Sequence, residues 1–153
     1  MTQRLQFSIS SLILVALLAC TQTGSLVKTA PVWLERDPIL PGYFIAIGMQ
    51  SGGENPGEMA AQHARETLSK QLQPEILTWM EANVVNQGGS MNEDQSFRLK
   101  QMLPSVLDEL MMATLIEDEY EKDGKYWVLL KLQQELARKL VSDKLARENS
   151  LQP

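Results

Sequence analysis

The sequence predicts an α+β fold: a small antiparallel-rich sheet with a long helix, an extra helical segment and a terminal amphipathic helix. Three stretches carry that prediction. Residues 42–49 alternate Tyr43, Ile45 and Ile47 with Phe44, Ala46 and Gly48, so both faces of a strand would be apolar. Residues 56–86 place Ala60, Ala64, Leu68, Leu72, Ile76, Met80 and Val84 four apart, a stripe that winds slowly around a helix. Residues 114–132 hold two strand-like runs around Asp123-Gly124, the pair that favours a type I′ hairpin turn.

The chain begins with a different kind of signal. Arg4 and the amino terminus are basic, residues 12–18 are apolar, and Ala19 is small. This tripartite pattern is that of a secretory signal, and the run is too short to span ~30 Å of hydrocarbon as a helix. Leu17-Leu18-Ala19-Cys20 closes it with the only cysteine in 153 residues. The tetrad resembles the bacterial lipobox, in which Leu17, Leu18 and Ala19 form the signal-peptidase recognition site and Cys20 becomes the new terminus. Its thiol would carry a thioether-linked diacylglycerol, and its amine a further acyl chain such as palmitate. Two or three chains hold a protein on a membrane where one does not. The competing readings are an ordinary secretory signal with an incidental cysteine, and a buried amino-terminal helix. Thr21 follows the cysteine in place of aspartate, which by similarity to sorting in enteric-type bacteria points to the outer membrane.

The expected organisation is therefore a signal peptide over residues 1–19, a lipidated Cys20 with a flexible tether over 20–30, one α+β domain over 31–148, and a frayed tail over 149–153. The tether is small and polar, with Gly24 and Ser25. Trp33 would pack at the domain edge. Asp37-Pro38 and Pro41-Gly42 are turns that lead into the first strand. Gly48 and Gly53 have the spacing of a phosphate-binding loop, but Glu54 stands where that loop needs lysine, and its carboxylate would repel phosphate. The stretch reads instead as a strand-to-helix connection, with Asn55 or Glu54 capping the helix and Pro56 in its first turn. Pro74 is expected to kink or split that helix, because it cannot donate to the carbonyl of Lys70.

Asn92 opens the extra helical segment, with Glu93 and Asp94 in its first turn, and Phe97, Leu99, Met102, Leu103, Val106, Leu107, Leu110 and Met111 as its apolar side. Pro104 is expected to break or kink it in the middle. In the hairpin, 115–121 and 126–132 pair so that Tyr120 meets Trp127, Glu119 meets Val128 and Glu117 meets Leu130. Glu117 and Glu119 would share one face and Asp118 the other; a charged, solvated edge strand explains the trio better than a calcium site. Residues 133–148 form the last amphipathic helix, with Leu132, Leu136, Leu140, Val141 and Leu145 in its stripe.

Composition narrows the function classes. A net charge of −5 disfavours nucleic acid, whose binding depends on phosphate neutralisation. His63 is the only histidine and reads as a surface residue, since metal ligation wants several convergent donors. No nucleophile–base pair, metal-ligand cluster or cofactor loop emerges, so the expectation is a non-enzyme with no catalytic, cofactor or metal residues.

The lipobox, the strand Tyr43-Phe44-Ile45-Ala46-Ile47-Gly48 with its alanine-bearing helix, and the late run Glu121-Lys122-Asp123-Gly124-Lys125-Tyr126-Trp127-Val128-Leu129-Leu130 together resemble the Lpp-twenty outer-membrane lipoprotein family, whose relatives include the flagellar assembly lipoprotein FlgP. The resemblance spans roughly residues 32–132. It implies a strand–helix–strand–strand core similar to dodecins and roles in envelope structure or motility, and it brings no catalytic residues. Pro74 and the extra helix depart from the family pattern. The expected function is a lipid-anchored, periplasm-facing structural or assembly subunit of the cell envelope, anchored through Cys20, with copies of itself or envelope proteins as partners and an association with the flagellum within its range. The alternative is an anchored carrier of a small hydrophobic or aromatic ligand, for which Trp33, Trp79 and Trp127 are the candidate contacts.

Overall fold

A computed structural model describes residues 29–36 and 38–150, without the side chains of 149 and 150. Leu17, Leu18, Ala19 and Cys20, and most of the tether, lie outside the described residues. The described chain runs α1 (Val32–Glu35), β1 (Tyr43–Ser51), α2 (Pro56–Asn86), α3 (Glu93–Met112), β2 (Leu115–Lys122), β3 (Lys125–Gln133) and α4 (Gln134–Ser150). It is an α+β fold with a three-stranded antiparallel sheet in the order β1-β3-β2. The last strand in sequence thus lies in the middle, which explains why its residues Val128, Leu129 and Leu130 are all buried.

The hairpin follows from its turn. Asp123 and Gly124 have φ of 52° and 71°, the positive values a type I′ turn demands at both central positions. The register then pairs Tyr120 with Trp127 and Glu119 with Val128, as expected. The Tyr120 and Trp127 rings lie 5.6 Å apart. The register breaks between Ile116 and Asp118, however, so Leu130 faces Ile116 and not Glu117. Glu117 is the extra residue of a β-bulge, and the bulge reverses the alternation beyond it. Glu117 pairs with Lys131, whereas Glu119 accepts a hydrogen bond of 3.0 Å from the Tyr126 hydroxyl. Lys131 and Tyr126 stand on opposite faces of β3, so the two glutamates do too, contrary to strict alternation.

One face of the sheet meets the helices. Ala46 and Gly48 from β1, with Val128, Leu130 and Leu132 from β3, turn toward α2. There Ala60, Ala61 and Ala64 pack with Val128 and Leu130 in a tight cluster of small side chains. The closest approach is at Gly48, where a β-carbon would lie 1.9 Å from the carbonyl oxygen of Ala60. The glycine of the spurious phosphate-loop spacing is thus a packing residue. With 31 residues α2 is about 46 Å long, against about 30 Å for the nine-residue β1, so it overhangs the sheet. Further along, its Leu68, Leu72, Ile76 and Met80 join α3, α4 and the sheet residues Ala46 and Leu132 in a second, larger cluster with Leu103, Leu110 and Val141.

Neither proline splits its helix. α2 runs through Pro74 and α3 through Pro104, and both prolines are exposed. The carbonyls of Lys70 and Lys100 that lose a donor therefore face water, which lowers the cost of the missing bond. Asn92 caps α3 as expected, its side chain accepting from the Gln95 amide at 2.8 Å. Asn55 precedes α2 at φ 56° and gives no side-chain cap; its carbonyl accepts from the Met59 amide instead. Phe97 leaves the stripe of α3 and is 62% exposed. α4 extends to Ser150, past the expected end at 148, so part of the expected frayed tail is helical.

Candidate interaction surface

The second face of the sheet carries Tyr43, Ile45, Ile47 and Met49 from β1 and Trp127, Leu129 and Lys131 from β3. Charge enters at its margin. Lys131 lies 5.2 Å from the Tyr43 ring and pairs with Glu117, whose carboxylate holds the ammonium above the ordinary lysine range. Ile45 and Ile47 are half-buried, and Met49 is 43% exposed.

Among the described residues, an amino-terminal strap, residues 29–36 and 38–40, approaches this face through Val32, Trp33, Ile39 and Leu40. α1 is a single turn that no periodicity in residues 32–35 marks. It has no buried residue of its own, and a side-chain hydrogen bond ties it to β2. Its Trp33 indole N–H donates to Asp118 at 2.7 Å. Val32, Trp33, Ile39 and Leu40 then line a groove of about 580 Å³ whose floor includes Leu129 and whose wall is Glu117 and Asp118. The acidic run that invited a metal reading thus serves three separate partners: Glu117 the Lys131 ammonium, Asp118 the Trp33 indole, and Glu119 the Tyr126 phenol. The hydrogen bond to Glu119 is the main reason the Tyr126 hydroxyl titrates above its ordinary value, with burial and the charges of Glu119 and Glu121 adding to it. Among the described residues no three His, Cys, Asp or Glu side chains gather as metal ligands, and no helix is long and apolar enough to cross a membrane.

The three tryptophans have different neighbours. Trp79 is flanked by Phe44, 6.0 Å away, and by the Arg138 guanidinium 4.1 Å over its ring. Trp127 stacks with Tyr120, and Trp33 holds the strap. His63 is half-buried, not a free surface residue. Its Nδ1 lies 2.9 Å from the Met49 carbonyl oxygen and, protonated there, donates to it at the outer edge of β1. Sequence reasoning could not find this contact, because nothing in the spacing of residues 49 and 63 marks it.

A second groove, of about 560 Å³, opens between the end of α2, the start of α3 and the end of α4. Val84, Leu99, Met102 and Leu145 supply its apolar lining, and Gln95 and Arg98 its polar part. The Gln95 side-chain oxygen is shielded from solvent and has no hydrogen-bond partner among the described residues. No protein-family model matches this chain, and a search of curated proteins finds no match.

Proposed function

We propose that the protein is a non-enzymatic lipoprotein of the bacterial envelope, anchored to the outer membrane through lipid on Cys20 and facing the periplasm, where it acts as a structural or assembly subunit. The observation that carries this reading is Leu17-Leu18-Ala19-Cys20: a lone cysteine, placed directly after a small residue at the end of a short apolar run. The order of β1, α2, β2 and β3 fits the dodecin-like core that the resemblance to the Lpp-twenty family implies, with α3 as the departure. The strap from residue 29 onward fits a chain arriving from an anchor, and the apolar second face fits a surface that works by contact.

Metabolic labelling with radioactive palmitate tests the anchor. Wild type takes up label and Cys20→Ser does not; equal labelling of the two would overturn the reading. Membrane fractionation of the same pair tests the address, with wild type in the outer-membrane fraction.

The groove beside Gln95 favours one second reading, an anchored carrier of a small amphipathic molecule. An apolar fluorophore that brightens on binding, and that Leu99→Trp displaces, would support it; no change in fluorescence would remove it.

A further inference from the structure

The two outer edges of the sheet differ in chemistry. β2 carries Glu117, Asp118, Glu119, Glu121 and Lys122 and is broken by a bulge, all of which discourage pairing with another strand. β1 has none of these devices: Tyr43–Ser51 contains no charge, no proline and no bulge. Its outer side is nevertheless not bare from end to end, and the groups already satisfied there are informative.

The parity of the β1–β3 ladder follows from its two ends. The Gln134 amide donates to Gly42 at 2.9 Å and the Gly52 amide to Gly124 at 3.0 Å. Hydrogen-bonded pairs alternate along an antiparallel ladder. The even-numbered residues of β1 therefore direct their N–H and C=O toward β3, and the odd-numbered ones direct theirs outward. Two outward groups already have partners: the Tyr43 amide donates to the Leu40 carbonyl at 3.0 Å, and the Met49 carbonyl accepts from His63 at 2.9 Å. Between these blocked ends lie six outward groups: the carbonyls of Tyr43, Ile45 and Ile47 and the amides of Ile45, Ile47 and Met49.

We propose that β1 pairs antiparallel with β1 of a second copy of this chain across a twofold axis at Ala46, joining two three-stranded sheets into one. In that register Ile45 of each copy exchanges two hydrogen bonds with Ile47 of the other. The Met49 amide of each meets the Tyr43 carbonyl of the other. All six free groups on each strand are then used, and neither blocked group is needed. A twofold one residue pair to either side would call on the Tyr43 amide or the Met49 carbonyl, which are already taken, so the local contacts fix the register. The charge pattern selects a second copy as the occupant. An uncharged strand meets its own twin without repulsion, whereas the β2 edge would set acidic rows against each other. On the second face the pairing brings the Ile45 and Ile47 side chains of both copies together. This inference deepens the assembly reading and rests on it; the anchor on Cys20 is separate.

The test uses the full chain with Cys20→Ser, purified from the periplasm, so that no native thiol remains. Sedimentation velocity should find a dimer. Ile47→Pro removes an outward amide and leaves the ladder to β3 intact; it should raise the dimer dissociation constant on the order of tenfold or more, since two hydrogen bonds are lost per dimer. Ile47→Lys should do the same through charge, and Ile39→Lys, on the strap, should leave the dimer unchanged. Circular dichroism confirms that each variant is folded. Register is read by disulfide formation: a mixture of Ile45→Cys and Ile47→Cys chains should cross-link, and Ile45→Cys alone should not. An oligomer that survives both Ile47 substitutions, or cross-linking by Ile45→Cys alone, overturns the inference while leaving the assembly reading in place. A wild-type chain that stays monomeric at the highest concentration reached overturns this inference together with self-assembly, and palmitate labelling still decides the anchor.

Discussion

Gly48→Ala is the substitution that probes the helix–sheet contact most directly. A β-carbon at this position would sit 1.9 Å from the Ala60 carbonyl oxygen, 2.4 Å from the Ala64 amide nitrogen and 2.9 Å from the Ala64 β-carbon. The two shortest contacts are to helix backbone, which cannot swing aside as a side chain can. α2 must therefore lift by about an ångström or more, loosening the packing of Ala60, Ala61 and Ala64 on Val128 and Leu130. Overpacking of this kind costs about 3 kcal/mol, a large share of the roughly 5–15 kcal/mol that holds a small domain together. Urea unfolding followed by circular dichroism measures the loss as a fall in midpoint at constant slope. The double variant Gly48→Ala with Ala64→Gly should recover little, because the backbone contacts persist. Gly52→Ala is the comparison, since Gly52 has open space around it and only its φ of 61° to lose, at about 1 kcal/mol. A loss below about 1 kcal/mol for Gly48→Ala, or full rescue by Ala64→Gly, would refute the argument from backbone approach.

Further perturbations address other parts of the fold. Trp33→Phe removes the indole donor to Asp118; hydrogen exchange over residues 30–40 should quicken while global stability changes by less than about 1 kcal/mol, as befits an exposed bond. Glu119→Gln should bring the Tyr126 phenol down toward its ordinary titration range, read as a shift in phenolate absorbance that Tyr126→Phe abolishes. The sign for stability follows: the phenol titrates higher folded than unfolded, so its contribution is complete below the ordinary phenol value and is lost as pH rises through the folded one. Wild type should therefore lose more stability than Glu119→Gln in that alkaline window. Leu130→Ala, at the meeting of sheet and α2, should cost about 2–5 kcal/mol in the same urea assay. Pro74→Ala should raise stability by about 1 kcal/mol or more, because it restores an amide to a helix that already runs unbroken; a loss would mean the proline shapes the packing.

Local chemistry made some elements easy to foresee. The bounds of α2, the Asn92 cap of α3 and the pairing of Tyr120 with Trp127 follow from four-residue spacing, a capping side chain and Asp123-Gly124. Contacts between distant segments were not legible. Glu117 at the bulge meets Lys131 across the sheet, α1 meets Asp118, and His63 meets the Met49 carbonyl. Whether Pro74 and Pro104 split their helices was not legible, because the cost of a missing helical donor depends on where its carbonyl faces, and exposure of the two prolines is a property of the packed molecule. Phe97 matched the stripe of α3 but falls outside the part that α2 and α4 cover. For the interaction surface, the sequence showed apolar residues on both faces of β1 and β3; only the alanine cluster of α2 decides which face the helices take.

The strap also has a mechanical meaning. Under the proposed anchor, any pull between membrane and domain enters the fold ahead of Tyr43 and loads the Trp33–Asp118 bond before it reaches β1. That bond is exposed and joins a single helical turn to an edge strand, so it yields first and lengthens the leash while the sheet stays whole. Only then does the load fall on Tyr43, the first residue of a strand held by β3 on one side. Under that anchor the fold is graded along its load path, with one exposed side-chain bond in series ahead of the paired strand.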